Sequence, residues 1–260
     1  MADPMNVRYE KDGAIGILTL DRPDRLNAMA DPMWMALYEH LGTIAADDEV
    51  RAVILTGAGR GFCSGGDVTG MAKTDVVTGR VRSQKRHRAV HALYTLEKPV
   101  IAAVRGPVYG IGNALALACD IILASDNTKF SMAFKKVGIV PNGGAIYFLT
   151  QYLGIARAKD LVYTARVVPA DEALQLGLVT RVVPDGKLET EARALAQDLA
   201  GSATYALALA KKMFQSMYLP SLEHLLEIET LASGAVRLTH DHKEGVDAFK
   251  EKRPPKFLGK

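Results

Sequence analysis

Cysteine is nearly missing from this chain: Cys63 and Cys119 are the only two among 260 residues. Two thiols so placed give neither a disulfide framework nor a metal-ligand spacing, so each reads as a small buried hydrophobe in a reducing cytoplasm, and no metal is expected. Long hydrophobic runs are lacking too. No stretch approaches 18 consecutive apolar residues, and Met1-Ala2-Asp3-Pro4-Met5 lacks the basic-then-apolar order of a secretion signal. Net charge is small: 32 Lys and Arg against 29 Asp and Glu leave +3, too little to argue for a nucleic-acid or membrane partner. No Gly-x4-Gly-Lys-Ser/Thr loop is present, and no Gly-x-Gly-x-x-Gly opens a helix. What remains is an ordinary globular composition, 48% hydrophobic and 23% charged. That is enough for one large core, or a core with a helical appendage.

Glycine, by contrast, is concentrated. The apolar run Ala52-Val53-Ile54-Leu55-Thr56 reads as a buried strand, and five glycines lie between Gly57 and Gly66 around Phe62-Cys63-Ser64 and just before Asp67. A glycine cluster costs backbone entropy and adds no packing, so it marks a turn or a close approach to a ligand. The N–H groups of such a loop can converge on an anion, either a phosphate or a charge that develops on a carbonyl oxygen. Taken alone, the cluster is equally a turn with no ligand. A second copy of the pattern follows. Val100-Ile101-Ala102-Ala103-Val104 is another apolar strand, running into Gly106-Pro107-Val108-Tyr109-Gly110-Ile111-Gly112-Asn113 and an Ala/Leu helix. Two such turns can aim two N–H donors at one oxygen.

Elsewhere, residues 6–10 and 14–20 read as a hairpin around Lys11-Asp12-Gly13. Asp31-Pro32 caps a helix to about Asp47, with Met33, Leu37, Leu41 and Ile44 on one face. A long basic helix is expected from about Asp75 to Leu96, and short strands at Ile121–Ala124 and Lys129–Ser131. Helices are expected to start at Asp160 and Ala170, the latter ending at Gly177, with others over 188–199, 204–218 and 220–238. The alternation of strand and helix is α/β.

The residues Leu20-Asp21-Arg22-Pro23 with Leu26-Asn27-Ala28, Phe62-Cys63-Ser64-Gly65-Gly66-Asp67, Lys98 to Gly106, and Ala118-Cys119-Asp120-Ile121 together resemble the crotonase family, the enoyl-CoA hydratases and isomerases. Gly138-Ile139-Val140-Pro141, Gly177-Leu178-Val179 and the segment from Glu244 to Arg253 extend the resemblance over essentially the whole chain. It implies a spiral of repeated ββα units over residues 1–200. Residues 201–260 would then form a C-terminal helical region that serves trimerisation and contributes a tail to the CoA site. It also implies a homotrimer or hexamer acting on an acyl-CoA thioester, with CoA part of the substrate and no separate cofactor.

The resemblance assigns the oxyanion-hole amides to Gly66 and Ile111. It points to Arg25, Leu26 and the backbone near Phe62 and Ser64 for the adenine end of CoA. Lys256 and Phe257 are expected to reach that end from a neighbouring subunit. Two glutamates that hold water in related hydratases would fall at Ala114 and Phe134, both apolar here. A second branch, double-bond isomerases of aromatic-acid catabolism, has Phe at the latter position and a catalytic Asp after the Pro141 equivalent, where this chain has Asn142. Asn142 can orient a substrate but cannot act as a base. A dehalogenase branch places a histidine at the position of His87, one turn from His91. Tyr109 and Asp67 are further candidates, with Asp67 also expected to cap the helix after the first loop, and Asp67 and Phe134 are counted with the substrate-binding residues. The activity implied is isomerisation or an atypical hydration; the alternative is an acyl-CoA-binding homologue without turnover.

Overall fold

The computed structural model describes residues 6–67, 76–216, 239–251 and 253–260. The expected helix over 220–238 lies outside them. In chain order the elements are β1 (Val7–Asp12), β2 (Ile15–Leu20), α1 (Asp31–Ala46), β3 (Ala52–Gly57), α2 (Val76–Thr95), β4 (Val100–Val104), β5 (Pro107–Tyr109) and α3 (Ile111–Leu117). They continue with β6 (Ile121–Ser125), β7 (Lys129–Ser131), α4 (Ala145–Thr164), β8 (Val168–Pro169), α5 (Ala170–Leu176), β9 (Arg181–Val183), α6 (Leu188–Ala200), α7 (Thr204–Ser216) and α8 (His240–Glu251). Among the described residues, no helix is long and apolar enough to cross a membrane.

The expected hairpin forms the antiparallel edge, pairing Val7 with Leu20 through Asp12 with Ile15. Every further pair in this six-stranded sheet is parallel, in the order β1-β2-β3-β4-β6-β9. Strands buried on both faces should be continuously apolar rather than alternating, and β4 (Val-Ile-Ala-Ala-Val) is buried at every position. One face packs on α1 to α4 through Val53, Leu55, Ala102 and Val104. The other meets α6, whose Leu188, Ala192, Ala196 and Ala200 form a stripe four residues apart against Ile54, Ile101 and Leu123. A smaller sheet, β5-β7-β8, stands at the end of the larger one.

Two helix starts differ from the expectation. In α1 the cap is Ala30, and Asp31 and Pro32 occupy the first turn, where a missing N–H costs nothing and an acidic side chain suits the helix dipole. Asp160 does not start a helix. It lies within the second of two helical runs that make up α4, set across a kink where Gly154 leaves helical geometry. Gly177 does end α5, in the left-handed conformation.

At the far end of β3 the C-terminal residues are strapped to the body. Arg51 donates to the carbonyls of Ser202 (2.5 Å) and Phe257 (3.0 Å), and the buried Asp241 accepts from the N–H groups of Leu258 and Gly259. These amides hold the Asp241 carboxyl below its usual range, although its burial opposes them.

Two local devices fix the end of the sheet where β3 and β4 finish. Asn27 is fully buried with positive φ; its Nδ2 donates to Ala58 O (2.9 Å) and Gly61 O (2.7 Å) while Oδ1 accepts from Arg22 N (2.8 Å). The side chain thereby pairs the carbonyls of Ala58 and Gly61 in the stretch before the loop reaches β5. The second device is contact at Gly112, where a Cβ would lie 2.5 Å from Cys63 O. That backbone approach is open only to glycine.

Two outcomes follow for urea unfolding. Asn27→Ala orphans one buried and one part-buried carbonyl and lowers the unfolding free energy by about 1–3 kcal/mol. Gly112→Ala forces α3 off the loop and costs a similar ~1–3 kcal/mol. Unchanged midpoints in both would show that the loop is held by something else.

Candidate active site

The two glycine-bearing turns lie side by side. Phe62 N donates to Arg105 O (2.8 Å), Cys63 N to Pro107 O (3.0 Å) and Tyr109 N to Cys63 O (2.9 Å), so the first loop runs as a short parallel strand against β5. Beyond it, Met29 N bonds Gly65 O (2.9 Å) and Asp67 N bonds Met29 O (3.0 Å). A parallel bridge of this kind uses the groups flanking the bridged residue. The Gly66 N–H is therefore turned away from Met29. The Ile111 N–H is the first of α3, where intrahelical acceptors do not exist. Neither amide has an acceptor among the described residues.

Both residues line one cavity of about 100 Å³, together with Trp34, Ser64, Phe134 and Asn142. The turns are close enough that a Cβ on Gly110 would stand 4.0 Å from Gly65 Cα. Asn113, buried in α3, holds the second turn: its Nδ2 donates to Val108 O (2.6 Å) and Ser131 O (2.9 Å). The Ile111 side chain narrows the chamber, since its Cδ1 occupies the space that a Cβ on Gly143 would need. A larger cavity of about 570 Å³ lies elsewhere, between α4 and α7. Its charges are matched, with Lys211 bonded to Asp120 at 2.9 Å, and neither of the free amides faces it.

The other sequence candidates fall into three groups. Gly66, Ile111, Asn142, Ser64 and Phe134 share the cavity wall. The Asn142 side chain has no hydrogen-bond partner among the described residues. Arg25 and Leu26 sit just outside, where their carbonyls accept from Ser64 Oγ (3.2 Å) and Ser64 N (2.9 Å); the Arg25 side chain is exposed. Phe62 is wholly buried and packs the core beneath the loop.

The Asp67 carboxylate meets Arg22 Nη1 at 2.6 Å, and the residues it was expected to cap lie outside those described. Tyr109 is half-buried and does not line the cavity. Lys256 and Phe257 lie at the opposite end of β3, beside Arg51, so within one chain they cannot touch this site.

His87 and His91 do not reach the cavity either: both are exposed. The phase of α2 turns the neighbouring Arg86 inward instead, and it is the only charged residue on the cavity wall among the described residues. The buried Ala89, Val90 and Leu93 set that phase, and Arg86 lies three and four residues before the first two, so the helix period in the sequence was the signal that could have found it. Ala114 is buried in α3. Neither thiol is a nucleophile: burial pushes Cys63 up to about 12 and raises Cys119 further. Among the described residues, no group of three or more His, Cys, Asp or Glu is placed to hold a metal ion.

This geometry agrees with the comparisons. A family model described as enoyl-CoA hydratase/isomerase matches residues 10–260. The chain is 37% identical over 254 residues to a probable enoyl-CoA hydratase of Rhodobacter capsulatus, covering 98% of each chain. It is 38% identical over 247 residues to the 1,2-epoxyphenylacetyl-CoA isomerase of Escherichia coli, covering 94% of each. A solved structure of a putative enoyl-CoA hydratase from Streptomyces coelicolor superposes with a TM-score of 0.94 at 33% identity, over 98% of this chain and 94% of that one. The mixed sheet with its stacked helices is the crotonase fold, and the chain belongs to the enoyl-CoA hydratase/isomerase family.

Proposed function

We propose that this protein acts on acyl-CoA thioesters by holding the thioester oxygen between the Gly66 and Ile111 N–H groups and stabilising the enolate that forms there. The observation that carries the reading is that these two amides, from two different turns, line one cavity and lack acceptors among the described residues. Preorganised donors of this kind are worth roughly 2.7–4 kcal/mol each where charge develops in the transition state. Arg25, exposed beside Ser64, is a cation suited to a CoA phosphate. Lys256 and Phe257 would complete the CoA site from a neighbouring subunit of a cytoplasmic homotrimer or hexamer.

An oxyanion hole fixes the intermediate and leaves the reaction open. Hydration by two carboxylates has no support, because Ala114 and Phe134 stand at the positions where related hydratases carry glutamate and the described cavity wall has no Asp, Glu or His. Double-bond isomerisation, or an atypical hydration with water held by Asn142, passes through the enolate and needs a base to take the carbon-bound proton and return it, a role left to water or to a group outside the described residues. The Escherichia coli relative is named as an isomerase of an epoxide, which favours isomerisation in that broader sense. The same bare wall supports a second reading, an acyl-CoA-binding homologue without turnover.

Incubation in deuterated solvent with butyryl-CoA, 3-enoyl-CoA or crotonyl-CoA separates them. The enzymatic reading expects deuterium at the α-carbon and a shift of the double bond. Binding without exchange selects the non-catalytic reading, and no binding of any thioester removes both. Asn142→Asp supplies the missing proton acceptor, and is expected to raise the exchange rate by roughly 10²-fold or more. An unaltered rate would mean that residue 142 does not face the reacting carbons.

A further inference from the structure

Ile111 contributes more to the chamber than its N–H. It is the first residue of α3, it is 4% exposed, and the mechanism proposed above uses only its amide. Its side chain reaches the turn Pro141-Asn142-Gly143-Gly144. A Cβ placed on Gly143 would lie 2.3 Å from Ile111 Cδ1 and 3.4 Å from Ala114 Cβ, so Cδ1 fills the gap between α3 and that turn. Gly143 has φ +65°, in the left-handed region, and this backbone is what leaves room for Cδ1. The start of α3 is seated in turn on the first loop through Gly112, with no space for a methyl between them. A β-branched side chain in a helix has one strongly preferred χ1. Ile111 is therefore held from both sides in the position it occupies.

The chamber that this side chain narrows has a volume of about 100 Å³. On its other sides Met29, Trp34 and Phe134 are buried and belong to the core, so they have little freedom to retreat. An apolar protein cavity of about 150 Å³ takes up a benzene molecule. This chamber is smaller, and it must also admit the thioester carbonyl. Resting on the acyl-CoA reading above, we infer that the substrate is the thioester of a short, unbranched aliphatic acid, and that the Ile111 side chain sets this limit. One residue then serves twice: its amide holds the thioester oxygen, and its side chain measures the acyl group.

Calorimetric titration of the full chain with butyryl-CoA, octanoyl-CoA and phenylacetyl-CoA tests this. The wild type is expected to bind butyryl-CoA at least about tenfold more tightly than either of the others, the discrimination that one excess methylene brings in an apolar pocket. Ile111→Val removes Cδ1 alone, keeps the amide, and is expected to shrink that ratio several-fold. Ile111→Ala leaves only Cβ and brings the ratio close to one; should it fail to fold, Ile111→Val carries the test by itself. Equal affinities in the wild type, or a ratio unchanged in the folded variants, overturn the inference while leaving the acyl-CoA reading intact. A parallel change for all three thioesters also overturns it, because the side chain would then serve only to seat the amide. Failure of the wild type to bind any of the three removes the acyl-CoA reading and this inference with it.

Discussion

The site rests on backbone touching backbone. The loop after β3 and the turn after β5 are joined by the amides and carbonyls of Phe62, Cys63 and Tyr109, and the start of α3 approaches to a distance that a single methyl at Gly112 would forbid. Such contact cannot come from side-chain burial. It requires that the loop's own carbonyls be satisfied from within, and the buried Asn27 amide does this for Ala58 and Gly61. Asn113 does the same for the second turn through Val108 and Ser131. With both turns pinned, two N–H groups are left over on one side of the junction. The free donors remain after the loop carbonyls beside them have been paired, so among the described residues no protein acceptor has to be given up when a carbonyl oxygen arrives.

Much of this was legible beforehand. Glycine-dense loops following apolar strands can be read from composition and spacing, because strand burial and turn geometry are local demands on residue type. The stripe of Leu188, Ala192, Ala196 and Ala200 likewise obeys a period that sequence carries. What was missed depends on phase or on long-range partners. Asp160 opens no helix because the run that contains it already starts after Gly154, where the backbone leaves helical geometry between the two halves of α4. In α2 the buried Ala89, Val90 and Leu93 fix the rotation and put Arg86 on their face. His87 stood out for its chemistry, yet one residue on such a helix is a turn of about 100°, and the cavity receives Arg86. Asn27 was visible only as part of a motif; its role needed the carbonyls of residues 31 and 34 positions away.

Electrostatics then separates this site from a two-glutamate hydratase. A pair of carboxylates holds and deprotonates water, and their negative charge opposes an enolate nearby, so the hole must outweigh them. Here Phe134 and Asn142 remove that opposition, and the charged residue on the described wall, Arg86, is ion-paired with Asp31. Such a wall leaves an enolate oxygen to the two amides and supplies nothing to generate hydroxide. On the proposed reading, water activation is therefore the poorest match to the wall.

Size sets a further restriction. The Ile111 side chain fills the space against Gly143 and narrows the chamber beside the two amides. Arg86, bonded to Asp31, closes part of the same wall. On the proposed reading, selectivity would then arise less from affinity for CoA than from whether the acyl group fits the space left beside Ile111 while the thioester oxygen sits on both amides.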